Sequence, residues 1–516
     1  MLSWLALAGC ATLPPGADHP RTPSTSLAPP LPTPLGTQAE AQARSHPGLS
    51  GGRLLARGVD GLVLRTQMVR AAQRSLEVQY YIFVEDYTGR VLLDAVLDAA
   101  QRGVRVRILI DDLNLHGRPQ TRETLAALDH HDNIEMRVFN PFAYRGDNAA
   151  VHAVDALLNA RRVNHRMHNK LMVADNAVAL VGGRNISDDY FEVGTSPKRF
   201  GDFDLAVVGP VVPGLSENFD AFWNCALAVP LAAVETVSGY RAAEAKREVA
   251  EDNAARDMPD LARRIESGEL LSSLMSGRLA MAWGRAQVVA DSPEKAQNNA
   301  GDGSDSPTAK ALASQLRAVE RELVVISPYV IPGDDGLATI RALRERNVRV
   351  RVLTNSLAST DVPIVHTAYR KYREPLVTAG VELFEVRPAP GQLRGDRKGL
   401  GSAASGKPFA LHAKAYVFDG STVLIGSANL DPRSLVLNTE SGIMIESPAL
   451  ASQIVRRFED FSAGANSYAV RSDGGGLQWR ANVDGQEVAW SHEPETTTQQ
   501  RLKVDMLSIL PLDSLL

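Results

Sequence analysis

Two stretches of this chain place the same polar residues at the same spacing: HNKLMVAD (168–175) and HAKAYVFD (412–419). In both, six residues separate the aspartate from a small-residue turn ending in asparagine, Gly182-Gly183-Arg184-Asn185 in one copy and Gly426-Ser427-Ala428-Asn429 in the other. The apolar letters between the polar ones, LMVA and AYVF, predict strands. On a strand, residues i and i+2 share a face, so His168 stands beside Lys170 and His412 beside Lys414. An imidazole next to an ammonium suits an anionic phosphate. The lysine holds non-bridging oxygens, the imidazole reaches phosphorus, and the neighbouring positive charge helps keep that imidazole neutral and nucleophilic.

Two such half-sites make one mechanism. One histidine attacks phosphorus to give a covalent phosphohistidine; the other protonates the departing alkoxide and later deprotonates the incoming alcohol or water. We favour His168 as nucleophile and His412 as general acid and base, although the symmetry of the motif leaves the roles exchangeable. Asn185 and Asn429 are expected to offer amide hydrogens to phosphate oxygens; a supporting hydroxyl is available only in the second copy, from Ser427, where the first has Gly183. The glycines of the turn are read as allowing close approach to a ligand. Asp175 and Asp419 fall on the opposite side of the strand, as loop anchors. Asp202 and Glu440 stand where a carboxylate can accept the imidazole Nδ1 proton and so present Nε2 to phosphorus. Charge from two lysines and two asparagines makes no call on a metal or any other cofactor, so none is assigned.

The elements that position these residues repeat as well. SLEVQYYIFV (75–84), RVLLDAVLDAAQRG (90–103) and VRVRILIDD (104–112) read as strand, helix, strand, a βαβ unit that implies parallel strands. ELVVISPYVI (322–331), GLATIRALRERN (336–347) and VRVRVLTNS (348–356) repeat it. Gly103 to Asn347 and His168 to His412 are both offsets of 244 residues, which argues for duplicated domains. At 516 residues the chain also exceeds what one core normally supports.

We divide the chain into 1–10, a lipoprotein-type signal segment; 11–50, a flexible tether with nine prolines; 51–235, the first domain; 236–310, a linker of charged helices and a loop, NNAGDGSDSPT (298–308); 311–465, the second domain; and 466–516, an extension packed on the body. The net charge of −5 argues against a nucleic-acid track, and the sequence names no protein partner. Of the two cysteines, Cys225 in WNCALAV reads as a small buried hydrophobe. Cys10 closes LAGC (7–10), which resembles a bacterial lipobox and marks Cys10 for lipidation. By the same resemblance, Ala11 directs the anchored protein toward the outer membrane rather than the inner, on the periplasmic side of a bacterial envelope.

The paired motifs resemble those of the phospholipase D superfamily. QYYIFVEDYTG (79–89), GDFDLAVVGP (201–210) and LHAKAYVFDGSTVLIGSANLDPRS (411–434) are similar to the bacterial cardiolipin synthase branch, in particular its third, periplasm-associated type. The resemblance implies an α/β fold: two duplicated α-β-α sandwich domains with mixed β-sheets, related by a pseudo-two-fold, with the active site at the domain interface. It assigns function to His168, Lys170, Asn185, His412, Lys414, Ser427 and Asn429, with Asp202 and Glu440 in support. It also implies phospholipid substrates at a membrane surface and cardiolipin formation from phosphatidylglycerol with phosphatidylglycerol or phosphatidylethanolamine. Hydrolysis to phosphatidic acid is the alternative left open, followed by a phosphodiesterase acting on nucleic acid.

Overall fold

The computed structural model describes residues 13–29, 31–146, 148–193, 198–235, 258–297, 306–389, 408–472 and 474–508. The first half contributes strands β1 (Ser50–Leu55), β2 (Ser75–Tyr80), β3 (Arg105–Asp111), β4 (Ile134–Phe139), β5 (Leu171–Ala174), β6 (Val178–Gly182), β7 (Arg199–Gly201), β8 (Asp204–Val208) and β9 (Ala228–Pro230). All but β7 join one mixed sheet in the order β9-β4-β3-β2-β5-β6-β8-β1, with only β2–β3 and β3–β4 parallel. The parallel pairs are those joined by the crossover helices Tyr87–Gln101 and Pro119–Leu128, as βαβ geometry requires. Strands β2 and β5 are buried along their whole length; β5, LMVA, reads as an apolar run, while β2, SLEVQY, buries Ser75, Glu77 and Gln79 as well.

The second half repeats this plan with β10 (Ala282–Ala290), β11 (Glu322–Ile326), β12 (Arg349–Asn355), β13 (Glu382–Val386), β14 (Phe409–Leu411), β15 (Ala415–Phe418), β16 (Thr422–Gly426), β17 (Ser441–Glu446) and β18 (Ser467–Ser472), then adds β19 (Leu477–Val483) and β20 (Gln486–Trp490). Its order is β10-β17-β16-β15-β11-β12-β13-β18-β19-β20, again with two parallel pairs, β11–β12 and β12–β13. The halves are fused along β1 and β10, where Ser50, Gly51 and Gly52 face Gly284, Trp283 and Ala282. The duplicated α/β architecture expected from the repeat is therefore present, as one continuous mixed sheet. Helices Val211–Asn224 and Pro448–Ser462 fill the space between the halves; Leu215, Phe219 and Trp223 share a single apolar core with Ile326, Ile454 and Phe458. Among the described residues no helix is long and apolar enough to cross a membrane.

Two expectations need correction. The 236–310 stretch, read as charged helices and a loop, carries helices at Pro259–Glu266 and Glu269–Met275 but also β10, the strand that joins the halves. Its AWGRAQVVA pattern alternates only weakly, because one side is partly exposed. The Pro-rich stretch read as a free tether over 11–50 holds a helix at Pro34–Arg44, capped by Thr33, and an extended strap along the body. Arg107 and Arg137 donate to the carbonyls of Ser24 and Thr22 at 3.0 and 2.9 Å, and Trp223 Nε1 donates to Ser24 Oγ at 3.1 Å. A strap held by its own backbone carbonyls needs no apolar side chains, so its composition gave no sign of docking. Cys10, the remainder of the first twelve residues and most of NNAGDGSDSPT lie outside the described residues.

Each motif aspartate closes the turn after its strand, with φ of 51° at Asp175 and 52° at Asp419. The Asp175 carboxylate accepts from the backbone N–H groups of Gln73, Arg74 and Ser75, and Asp419 from those of Glu320, Arg321 and Glu322. Both therefore tie the motif strand to the start of its neighbour. Loss of the fully buried Asp175 leaves three donors unpaired, so Asp175→Ala is expected to cost about 2–4 kcal/mol and lower the urea midpoint. The half-exposed Asp419→Ala should cost clearly less, and equal losses would contradict this reading.

Candidate active site

Each catalytic-type histidine is positioned by backbone from its own half and from the other. His168 lies just ahead of β5, and the preceding Met167 bridges to Thr439; His168 N donates to Thr439 O at 2.9 Å, and Thr439 N to Arg166 O at 3.0 Å. His412 lies between β14 and β15, where β14 pairs in parallel with β7 and His412 N donates to Gly201 O at 2.8 Å. One residue beyond each of these contacts stands a carboxylate. Glu440 Oε2 is 2.9 Å from His168 Nδ1, and Asp202 Oδ2 is 2.6 Å from His412 Nδ1. The supports predicted from sequence are thus crossed, each histidine receiving its acid from the opposite half. Linear spacing says nothing about that pairing.

The site is buried, so solvation and charge decide protonation. Burial drives His168 down to about 4, assisted by Lys170 and Lys414 and opposed by Glu440. Burial together with Lys414 holds His412 well below the ordinary histidine range. Burial pushes both lysines down, Lys170 well below its usual value and Lys414 to about 8. The lysines are fixed at their tips: each Nζ donates to the carbonyl of its own histidine at 2.6 Å, and Lys414 Nζ lies 2.8 Å from His412 Nδ1. The two carboxylates diverge. Burial alone would raise Glu440, but His168, Lys170 and the Ser427 hydroxyl keep it below the normal glutamate value. For Asp202 burial wins over Lys414 and Arg184, and its carboxyl rises to about 7.

The turn residues add a smaller difference between the two copies. Ser427 Oγ donates to Glu440 Oε2 and accepts from Ser441 N at 3.0 Å, so its hydroxyl braces the carboxylate instead of reaching for substrate. In the other copy a Cβ on Gly183 would stand 2.2 Å from Asp202 Oδ1, and one on Gly182 would stand 2.4 Å from Phe203 O. These glycines make room for the protein's own carboxylate and backbone, where a ligand had been expected. Asn185 is engaged on both sides, accepting from Ile82 N at 3.2 Å and donating to Tyr190 OH at 2.9 Å. Asn429 is different: its Oδ1 is buried with no hydrogen-bond partner among the described residues.

Several residues at the site carry no motif signature. The edge of Tyr81 packs on His168 with ring centroids 4.9 Å apart and Lys170 over its face; Tyr190 packs on His412 at 5.0 Å. Asp291 accepts from Glu440 N at 3.0 Å and from Lys295 Nζ at 2.7 Å, so a buried ion pair from the stretch taken as a linker holds the Glu440 backbone. Arg166, paired with Asp111, holds the approach to His168. Asp361 accepts from Tyr329 OH at 2.9 Å and bears electrostatically on His412. Doubled aromatics before an acidic run, as in QYYIFVED, were the one available hint. His165 turns to the carbonyl of Leu437 at 3.0 Å. His366 and Arg373 are buried against Glu493 and form no part of the site.

A family model described as "Cardiolipin synthase, PLD-like domain" matches residues 66–195 and 312–461. The chain is 37% identical to "Cardiolipin synthase C" of Escherichia coli K12 over 475 residues, 91% of this chain and 97% of that protein. It is 26% identical to "Cardiolipin synthase A" of Pseudomonas syringae over 78% of this chain and 66% of that one. Among solved structures, that of phosphatidylserine synthase from Haemophilus influenzae Rd KW20 superposes with a TM-score of 0.56 at 13% identity, covering 93% of this chain and 98% of that chain, which shows a common fold.

The depressed histidines give a direct observable. In ¹⁵N-histidine NMR the His168 ring is expected to remain a neutral Nδ1–H tautomer from pH 8 down to about 4. Titration of this ring near 6.5 would contradict the geometry.

Proposed function

For a chain that belongs to the cardiolipin synthase family of phospholipase D-like proteins, and is thus a phospholipase D-type phosphatidyltransferase, we propose that two phospholipids are joined through a covalent phosphohistidine to give cardiolipin. The observation that carries this reading is the crossed pair of imidazoles, each with Nδ1 held by a buried carboxylate. Glu440, kept ionised, can only accept a hydrogen bond, so His168 carries its proton on Nδ1 and offers the Nε2 lone pair. His168 Nε2 attacks the phosphorus of the donor. The bond from phosphorus to the headgroup oxygen breaks, and His412 Nε2 gives its proton to the departing alkoxide. A primary hydroxyl of phosphatidylglycerol then enters, loses its proton to His412 and attacks the phosphohistidine, forming the new P–O bond and releasing His168.

The unequal carboxylates support this division of labour. An Asp202 that holds a proton up to about pH 7 lets the Asp202–His412 pair store the proton the leaving group needs. Lys170, Lys414 and the Asn429 amide, with its Nδ2 hydrogens turned to the phosphate, border the non-bridging oxygens, where negative charge grows. Donors are phosphatidylglycerol or phosphatidylethanolamine, and the acceptor is phosphatidylglycerol. Attachment through a lipid on Cys10 at the periplasmic side of the envelope, toward the outer membrane, completes the proposal. It draws on the LAGC string and on substrates that reside in a bilayer.

Incubation with mixed phosphatidylglycerol and phosphatidylethanolamine vesicles, followed by mass spectrometry of all lipid and headgroup products, tests the function. Cardiolipin is expected from the parent and should fall by about 10⁴-fold or more in His168→Ala and His412→Ala. Phosphatidic acid as sole product would replace the synthase reading with a phospholipase. The pH profile is a separate check. The proton of the Asp202–His412 pair is present below about 7 and lost above it, while His168 stays neutral down to about 4. Single-turnover headgroup release should therefore be flat between these values and fall as pH rises above 7; a rate that climbs through pH 7 would exclude this assignment.

A further inference from the structure

We propose that the helix Ala149–Leu158 is a lipid-docking element that seats the mouth of the active site on an anionic phospholipid bilayer, a proposal that rests on the phosphatidyl-transfer reading above. The helix, AAVHAVDALL, has no buried residue. Val154, Leu157 and Leu158 are 55, 76 and 79% exposed. Its polar residues face inward instead. The His152 ring stacks on His116 with centroids 3.3 Å apart and packs against Phe142 at 4.5 Å; the Asp155 carboxylate accepts from Tyr144 N at 3.0 Å and from Asn159 Nδ2 at 2.8 Å. A surface helix in water turns its apolar stripe to the core and its polar face out. This one is inverted.

A ten-residue helix with no packed apolar side is marginal in water. Inserting the stripe formed by Val151, Val154, Leu157 and Leu158 at the level of headgroups and upper acyl chains supplies the missing apolar contact. The position fits this use. One short turn beyond the helix, Asn164 accepts from Arg433 Nη1 at 2.9 Å and His165 meets the Leu437 carbonyl, so the helix leads directly into the cleft that holds His168. In the second half Ile364 is also an exposed large apolar residue, three positions from Asp361, whose charge acts on His412. Charge agrees as well: the helix's only carboxylate is turned inward, and the exposed Arg161 just past its end faces outward, suited to anionic headgroups.

The test uses the full chain carrying Cys10→Ser, so that no acyl anchor contributes, with vesicles of phosphatidylglycerol and phosphatidylethanolamine. Leu157→Asp with Leu158→Asp is expected to weaken vesicle partition by about a hundredfold, while turnover of dissolved short-chain phosphatidylglycerol stays at the parent level. A bimane label on Leu158→Cys should shift to the blue on vesicle addition. Unchanged partition, or a label blind to vesicles, would overturn the proposal. So would a halving of molecular mass with intact vesicle binding, which would make the stripe a contact between two copies. Loss of short-chain turnover would assign the helix to holding the site and likewise overturn docking. A parent that binds vesicles through this helix yet turns over neither lipid form would refute phosphatidyl transfer and leave docking standing.

Discussion

The hydrogen bond between each imidazole and an acidic side chain on the opposite half is the constraint on which the rest of the molecule depends. Glu440 serves His168 and Asp202 serves His412 at 2.9 and 2.6 Å, so neither half contains a complete orienting pair. Sub-ångström placement across a junction requires that the junction not move. The shared core around helices Val211–Asn224 and Pro448–Ser462, the seam of β1 against β10, and the short exchanges at β7–β14 and Met167–Thr439 make the two halves one body. Buried charges beside both histidines would be costly if that body loosened, because each would lose its counter-charge without gaining water.

Motifs with the same polar residues sit in unlike surroundings. The Ser427 hydroxyl gives Glu440 a donor that Gly183 cannot give Asp202, and the Asp291–Lys295 pair holds the Glu440 backbone from the seam strand. With His168 and Lys170 as the larger influences, Glu440 is held below the ordinary glutamate value, whereas burial raises Asp202 to about 7 beside His412. Duplication supplies two equal sites. In the proposed mechanism, their divergence is what separates nucleophile from acid.

Much of this was legible in the sequence because duplication writes itself as repeated spacing. The βαβ units, the histidine-lysine pairs and the anchoring aspartates all follow from periodicity and residue type. The crossing of Asp202 and Glu440 did not, since it depends on how two halves dock and no linear distance encodes that. Ser427 was read as a supporting residue without its partner, because the carboxylate it braces lies thirteen residues on. β10 was missed for a local reason, its alternation being weakened by partial exposure. The N-terminal strap was missed because its bonds use backbone carbonyls, with the informative residues, Arg107 and Arg137, far away in the chain.

The most direct measurement of the crossed assignment is rapid-quench peptide mapping of the phosphatidyl adduct in chains altered at one carboxylate. The adduct is expected on His168, slowed in Asp202→Asn with the fall above pH 7 abolished because the stored proton is gone, and suppressed by about 10²–10⁴-fold in Glu440→Gln, where the tautomer is no longer fixed. An adduct on His412, or one that forms on His168 at full rate in Glu440→Gln, would contradict the crossed assignment.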